Sequence, residues 1–266
     1  MSRAFANTQV LPPAMPRAVS GATGCVVDLL RREGQMTGPG TPVLTAKRVV
    51  DCTLAVVVAV LTAPLVLAAV ALVRLTTRGP AIYTQERVGH GERRFTIYKI
   101  RTMIHDCESL TGPKWSVPGD PRVTAIGRVL RKLHIDELPQ LLNVLRGEMS
   151  LVGPRPERPV FVAKLARKIP HYPARHAVIP GITGLAQLYL PPDIEVEDVE
   201  RKLTFDLYYA RHADLWMDIK ILVCTALKVI GVPRQWIRAA LPLRAESLGM
   251  PATLAFPNDR PRTHAA

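Results

Sequence analysis

One long apolar block interrupts a chain that otherwise mixes apolar and polar positions at short period. From Cys52 to Val73 the sequence CTLAVVVAVLTAPLVLAAVALV carries no charged side chain. Such a run, at about 1.5 Å per residue, reaches roughly 30 Å, the thickness of a bilayer's hydrocarbon core. The pattern therefore predicts a membrane helix and disfavours the core helix of a soluble protein. Pro64 stands mid-run. It removes one backbone hydrogen bond and crowds the preceding turn, which predicts a bend there. Lys47 and Arg48 precede the block, and Arg74 and Arg78 follow it. Equal basic flanks do not orient a crossing helix. A helix that bends at Pro64 and leaves by the leaflet it entered keeps both flanks at one anionic surface. The residues alone leave re-entrant and spanning helices as alternatives.

Beyond the block the periods shorten. Ala81–Gln85 and Phe95–Ile100 have strand-like content with a Gly89/Gly91 turn between them, which predicts a β-hairpin. DPRVTAIGRVLRK, residues 120–132, spaces Val, Ile and Leu as an amphipathic helix with a basic face. In LHIDELPQLLNVLRG, residues 133–147, Leu138, Leu141, Leu142 and Leu145 form an apolar stripe. Pro139 suits a first turn, and Gly147 a stop. PGITGLAQL, residues 180–188, reads as a glycine-punctuated loop with strand-like apolar positions. Residues 196–230 read as two helices; the second either packs in the membrane-proximal core or lies in the interface. Residues 1–45 are rich in Pro, Gly, Thr and Ala and predict a disordered tail, with one helical turn near Val26–Arg32. The pattern fades again over 233–266, apart from a short basic amphipathic stretch at Gln235–Arg244. These readings give a mainly helical α+β fold. Its parts are a tail (1–45), a membrane helix (46–78), a compact domain carrying the small β-hairpin (79–232) and a flexible tail (233–266).

Charge sharpens this picture. Thirty-five Lys and Arg against 22 Asp and Glu give +13, alongside 48% hydrophobic residues and a mean hydropathy of +0.12. Such a balance calls for an anionic partner: nucleic acid, lipid headgroups or a phosphorylated substrate. Aromatic residues at 5% argue against a stacking-based single-strand nucleic-acid binder. Cys25, Cys52, Cys107 and Cys224 form no CxxC pair and read as free thiols of a reducing compartment. The first 24 residues hold no sustained apolar run, so no signal peptide is expected.

Several positions are candidates for chemistry. Lys99 and Arg101 share one face of a strand by the two-residue period and could jointly hold a diphosphate. Arg122, Arg128, Arg131 and Lys132 follow one another with no acid between them. Asp136 and Glu137 fall in a first helical turn, where the macrodipole favours ionised carboxylates. Capping is the commoner role for acids at such a place. Cations nearby would let an ionised aspartate meet a phosphate. Pro154 and Pro156 fix the backbone on both sides of Arg155, and a rigidly presented guanidinium suits bidentate phosphate contact. A solvated basic face or a plain structural loop would explain the same residues. There is neither a GxGxxG nor a Walker fingerprint.

The ordered set KRVVD, the Pro-broken apolar block, YKIRTM, DPRVTAIGRVLRK, IDELPQLLNVLRGEMSLVGPRPE and PGITGLAQ resembles the bacterial sugar transferase family. These are the monotopic phosphoglycosyl transferases, or polyprenyl-phosphate hexose-1-phosphate transferases. The likeness covers about residues 45–230 and is most specific over 120–157. It implies an enzyme of the bacterial inner membrane that faces the cytoplasm. That enzyme moves a sugar-1-phosphate from a UDP-sugar to a polyprenol phosphate, releases UMP and initiates glycan or exopolysaccharide assembly. By the resemblance Asp136 attacks phosphorus and forms a covalent aspartyl-phosphosugar, Glu137 serves as acid or base, and Mg²⁺ contacts Asp136. Lys99, Arg101, Arg131 and Arg155 match basic positions of the family's motifs and are the expected phosphate contacts, and the family's re-entrant helix implies a bend at Pro64. The implied partners are the UDP-sugar, undecaprenyl phosphate and inner-membrane lipids, and not nucleic acid; whether the chain forms a homo-oligomer stays open. Three places depart from the family's pattern. Ala63 stands where serine is common before the proline, with Thr62 able to bond back to a carbonyl in its stead. His134-Ile135 replaces Ser-Leu before the dyad, and LYLPPD replaces a glycine-containing continuation after PGITGLAQ. The rival reading is a non-catalytic basic protein that binds membrane surfaces or serves as a scaffold.

Overall fold

The computed structural model describes residues 41–109, 112–117, 119–190, 196–243 and 245–248. The expected tail residues 1–40 and 249–266, including the turn near Val26–Arg32, lie outside them. Helix α1, Thr41–Thr76, contains the whole apolar block with Pro64 inside it. It is long and apolar enough to cross a membrane. Only 11% of its most apolar stretch is buried, so it is not a soluble core helix. Val60, Leu61 and Leu67 stand largely bare. In water such side chains would forgo on the order of 1 kcal/mol each. Pro64 cannot donate to the carbonyl one turn earlier. Just before it, Thr62 Oγ1 donates to the Val58 carbonyl at 2.7 Å, the back-bond expected of it.

Both halves of α1 rest on one body, while the turn around Pro64 is exposed. In the first half, Ala55 enters the main core with Val144, Met149 and Val152. Arg48 donates to the carbonyls of Val144 and Leu145, at the negative C-terminal end of a short helix. Lys47 pairs with Asp51 and Asp218. Asp51 in turn accepts from Ser150 Oγ at 2.7 Å, and Asp218 accepts from the Tyr209 hydroxyl at 2.7 Å. In the second half, Ala69 and Val73 pack with Ala81, Ile100, Leu130 and Ile135.

The predicted hairpin is β1 (Ile82–Val88) paired antiparallel with β2 (Arg94–Ile100), in register Ile82↔Ile100 through Val88↔Arg94. Gly91 turns it with φ +58°. Helix α2, Ala125–Lys132, is capped by Thr124, whose hydroxyl accepts from Gly127 N at 2.9 Å. A 3-10 segment, Ile135–Gln140, leads into α3, Leu141–Arg146, which ends at Gly147 in the left-handed region. Strand β3 (Ser150–Val152) pairs parallel with β4 (Gly181–Thr183). Between them lie α4 (Pro159–Lys168) and a second 3-10 segment (Tyr172–Ala177). The chain then runs through α5 (Leu185–Tyr189), α6 (Val196–His212), α7 (Leu215–Val229) and α8 (Arg234–Ala240). The two helices read over 196–230 and the basic stretch after 233 are thus present as α6, α7 and α8. Helix α4 and strand β3 had no clear signal, while β4 falls in the stretch 180–188 read with strand-like positions. Cys52, Cys107 and Cys224 are free thiols.

Candidate active site

The expected single helix over 133–147 is in fact two pieces. After α2, His134 caps the first piece with φ +56° and ψ +20°, a left-handed conformation that histidine tolerates better than most residues. That turn drops Asp136 and Glu137 into the 3-10 segment, where Asp136 is 7% exposed. Ile135 and Leu138, on either side of the pair, pack against the second half of α1. The carboxylates therefore sit beside the apolar helix.

Glu137 is held by two cations. Lys99 Nζ donates to its Oε1 at 2.8 Å. Arg155 engages both oxygens, Nη1 reaching Oε2 at 3.3 Å and Nη2 bonding Oε1. Burial alone would push this carboxyl up, but Arg155 and Lys99 outweigh it and hold Glu137 well below the usual range. The Lys99 ammonium is lowered, chiefly by burial, with Glu137 opposing and Arg155 assisting. Asp136 goes the other way. Burial is the largest cause, neighbouring Glu137 adds to it, and Lys99, Arg131 and Arg155 only partly offset the rise. The helix dipole does not set the direction at Asp136: burial is the larger cause, and a six-residue 3-10 segment supplies little dipole.

The predicted cations divide into two groups. Lys99, Arg131 and Arg155 surround the dyad. Arg131 is steadied by Thr102 Oγ1 at 2.8 Å and Ser116 Oγ at 2.9 Å. Arg101 does not join Lys99. It lies just past the end of β2 and donates to the carbonyl and hydroxyl of Thr77, at 3.3 and 2.7 Å, where α1 ends. Arg128 and Lys132 are exposed.

The loop 153–158 is more tightly built than its two prolines suggest. Gly181 N donates to Pro154 O at 2.9 Å, and Val88 N to Glu157 O at 2.9 Å. Arg175 donates to Arg155 O at 2.9 Å. Gly153 and Gly181 touch backbone to backbone: a Cβ on Gly181 would stand 2.0 Å from Gly153 N. That close approach is what the glycines of PGITG supply. Arg175, Thr102 and the Lys47–Asp218 pair were not anticipated. The contacts that tie them to the site and to α1 reach across 20 to 171 residues, and no local spacing signals such contacts.

The arrangement can therefore bring a diphosphate to a buried aspartate under three cations at the edge of an apolar helix. The sequence profile of the bacterial sugar transferases matches residues 43–232. A UDP-N-acetylgalactosamine-undecaprenyl-phosphate N-acetylgalactosaminephosphotransferase of Aeromonas hydrophila is 44% identical over 184 residues, 69% of this chain and 43% of that protein. An undecaprenyl-phosphate glucose phosphotransferase of Komagataeibacter xylinus is 43% identical over 189 residues, covering 69% and 36%. A UDP-glucose:undecaprenyl-phosphate glucose-1-phosphate transferase of Caulobacter vibrioides is 44% identical over 189 residues, 70% of each chain. The chain thus spans about two fifths of the first two relatives and more of the third. With the profile running from the start of α1 to the end of α7, the chain belongs to the bacterial sugar transferase family.

Proposed function

We propose that the chain transfers a sugar-1-phosphate from a UDP-sugar to undecaprenyl phosphate, or a similar polyprenol phosphate, and releases UMP. The observation that carries this reading is the contrast within the dyad. The hydrogen bonds of Lys99 and Arg155 end on Glu137, whereas Asp136 lies in the field of Lys99, Arg131 and Arg155 without an ion pair of its own among the described residues. Asp136 is then the nucleophile. Its carboxylate oxygen bonds to the sugar-bearing phosphorus, the bond from that phosphorus to the bridging oxygen breaks, and UMP leaves with the electron pair. An oxygen of the polyprenol phosphate next attacks the same phosphorus and returns Asp136 as a carboxylate. Two like-charged partners approach each other in each step, so fixed cations in a shielded site are the main requirement. Glu137 keeps Lys99 and Arg155 in place until the diphosphate takes them over. Clamped as it is, Glu137 is a weak base.

Mg²⁺ belongs to this proposal. Among the described residues no group of three or more His, Cys, Asp and Glu is placed to hold an ion. One unclaimed carboxylate fits an ion that takes one or two carboxylates and completes its shell with substrate phosphates and water. Asp136 would hold it, and when bound it would neutralise diphosphate charge. Membrane placement follows the same logic. Contacts of both halves of α1 with one body, and exposure around Pro64, support a re-entrant helix bent at that proline. Its basic flanks would then lie at the cytoplasmic face of the inner membrane, where glycan assembly such as exopolysaccharide synthesis begins.

The test is UMP release from purified protein with Mg²⁺, undecaprenyl phosphate and a panel of UDP-sugars. Release with at least one sugar, lost in Asp136→Asn, is expected. No UMP from any sugar by folded protein would overturn the reading in favour of a scaffold, and an unaffected Asp136→Asn would remove Asp136 as the nucleophile.

A further inference from the structure

We propose that Arg175, paired with Asp206, is a positioning residue that sets the place of Arg155 from behind; the inference rests on the functional reading above. Its geometry is specific. Arg175 is 7% exposed and Asp206 4%. The Arg175 guanidinium spreads over three acceptors on three elements: Asp206 Oδ2 of α6 at 2.7 Å, the Tyr172 hydroxyl at 2.7 Å, and the carbonyl of Arg155 at 2.9 Å. A planar fork presents two terminal nitrogens to these acceptors, whereas an ammonium offers its three donors from a single atom.

The consequence runs outward. Neighbouring carbonyls of the loop accept from main-chain donors, Pro154 O from Gly181 N and Glu157 O from Val88 N. Pro156 O takes a long 3.4 Å bond from Arg87. The carbonyl of Arg155 is the one in this run whose side chain reaches the dyad, and its donor is a buried, ion-paired guanidinium. Asp206, Arg175, Arg155 and Glu137 thus form one chain of contacts from α6 to the dyad. Misplacing a positioning group by about 1 Å is enough to cost roughly 100-fold in rate.

The experiment uses the full chain in nanodiscs with two variants. Arg175→Lys keeps the charge opposite Asp206. The double variant Arg175→Gln with Asp206→Asn replaces the buried ion pair by neutral amides. Three quantities are read: thermal unfolding, amide deuterium exchange of residues 153–158, and kcat and KM for UMP release. Near-parental unfolding is expected for at least one variant. In it, exchange over 153–158 should be selectively faster, and kcat should fall about 10- to 100-fold, with a smaller change in KM. Parental exchange and parental kcat in a folded variant would overturn the inference. So would exchange that rises evenly along the chain, or failure of both variants to fold, since these mark a purely structural pair. Should the parental chain release no UMP while the variants still loosen 153–158, the functional reading fails and the positioning role stands.

Discussion

Two adjacent carboxylates meet opposite environments. Glu137 is ionised by a lysine and a forked arginine, while Asp136 is buried beside it with no such claim. Arg155→Lys keeps the charge and loses the fork; kcat/KM for the UDP-sugar should fall by roughly 10-fold or more, measured by UMP release. His176 offers a pH test. It is 7% exposed and lines a small cavity with Arg155 and Arg175. Burial, with Arg175 assisting, holds its imidazole down to about 4 from 6.5. The unfolded chain takes up this proton below about 6.5, and the folded chain only near 4. Stability is therefore complete above 6.5 and is lost as pH falls toward 4, by roughly 3 kcal/mol at most. His176→Gln should flatten the dependence of the unfolding midpoint over that window. At this scale the sequence exposed the dyad, Lys99, Arg131 and Arg155 by type and neighbourhood. Arg101, read as the companion of Lys99, stands apart at Thr77, because strand alternation fixes a face but not what stands in front of it. Arg175 left no trace, since its worth lies in contacts with Asp206 and the Arg155 carbonyl.

Elements place these residues through close approaches. Gly127 brings α2 against the backbone of Thr102; a Cβ there would stand 2.0 Å from the Thr102 carbonyl oxygen. Gly127→Ala should therefore cost about 1–3 kcal/mol and displace Arg131 from Thr102, lowering activity beyond the loss of folded protein. Thermal unfolding alongside specific activity separates the two effects. The clamp between α1 and the body should behave as a buried ion pair. Lys47→Met strands Asp218 and should destabilise by about 3–5 kcal/mol. Elements of strong period (α1, the hairpin, α2, α6 and α7) were legible in the chain. The 3-10 piece that leads into α3 was not, because it depends on a left-handed histidine just ahead of the leucine stripe. The three-residue strands β3 and β4 are too short to show a period, and their pairing is non-local.

For the whole molecule, the apolar excess lies mostly on α1 and the basic excess at its flanks and around the dyad. A basic chain of positive mean hydropathy is what the proposed transfer from a soluble, anionic sugar donor to a lipid phosphate would need. A re-entrant α1 leaves Thr45 and Arg78 on one side. Single cysteines at these positions, in a background without other reactive thiols, should both label from the cytoplasmic side only; labelling of one from the outside would indicate a spanning helix. The central claim concerns Asp136 itself. Purified protein should be mixed with Mg²⁺ and its UDP-sugar in the absence of polyprenol phosphate, quenched, digested and weighed by mass spectrometry. The expected result is a burst of UMP approaching one equivalent, with a sugar-phosphate mass added to the peptide bearing Asp136 and absent in Asp136→Asn. UMP release that requires the lipid acceptor, with no adduct on that peptide, would contradict it.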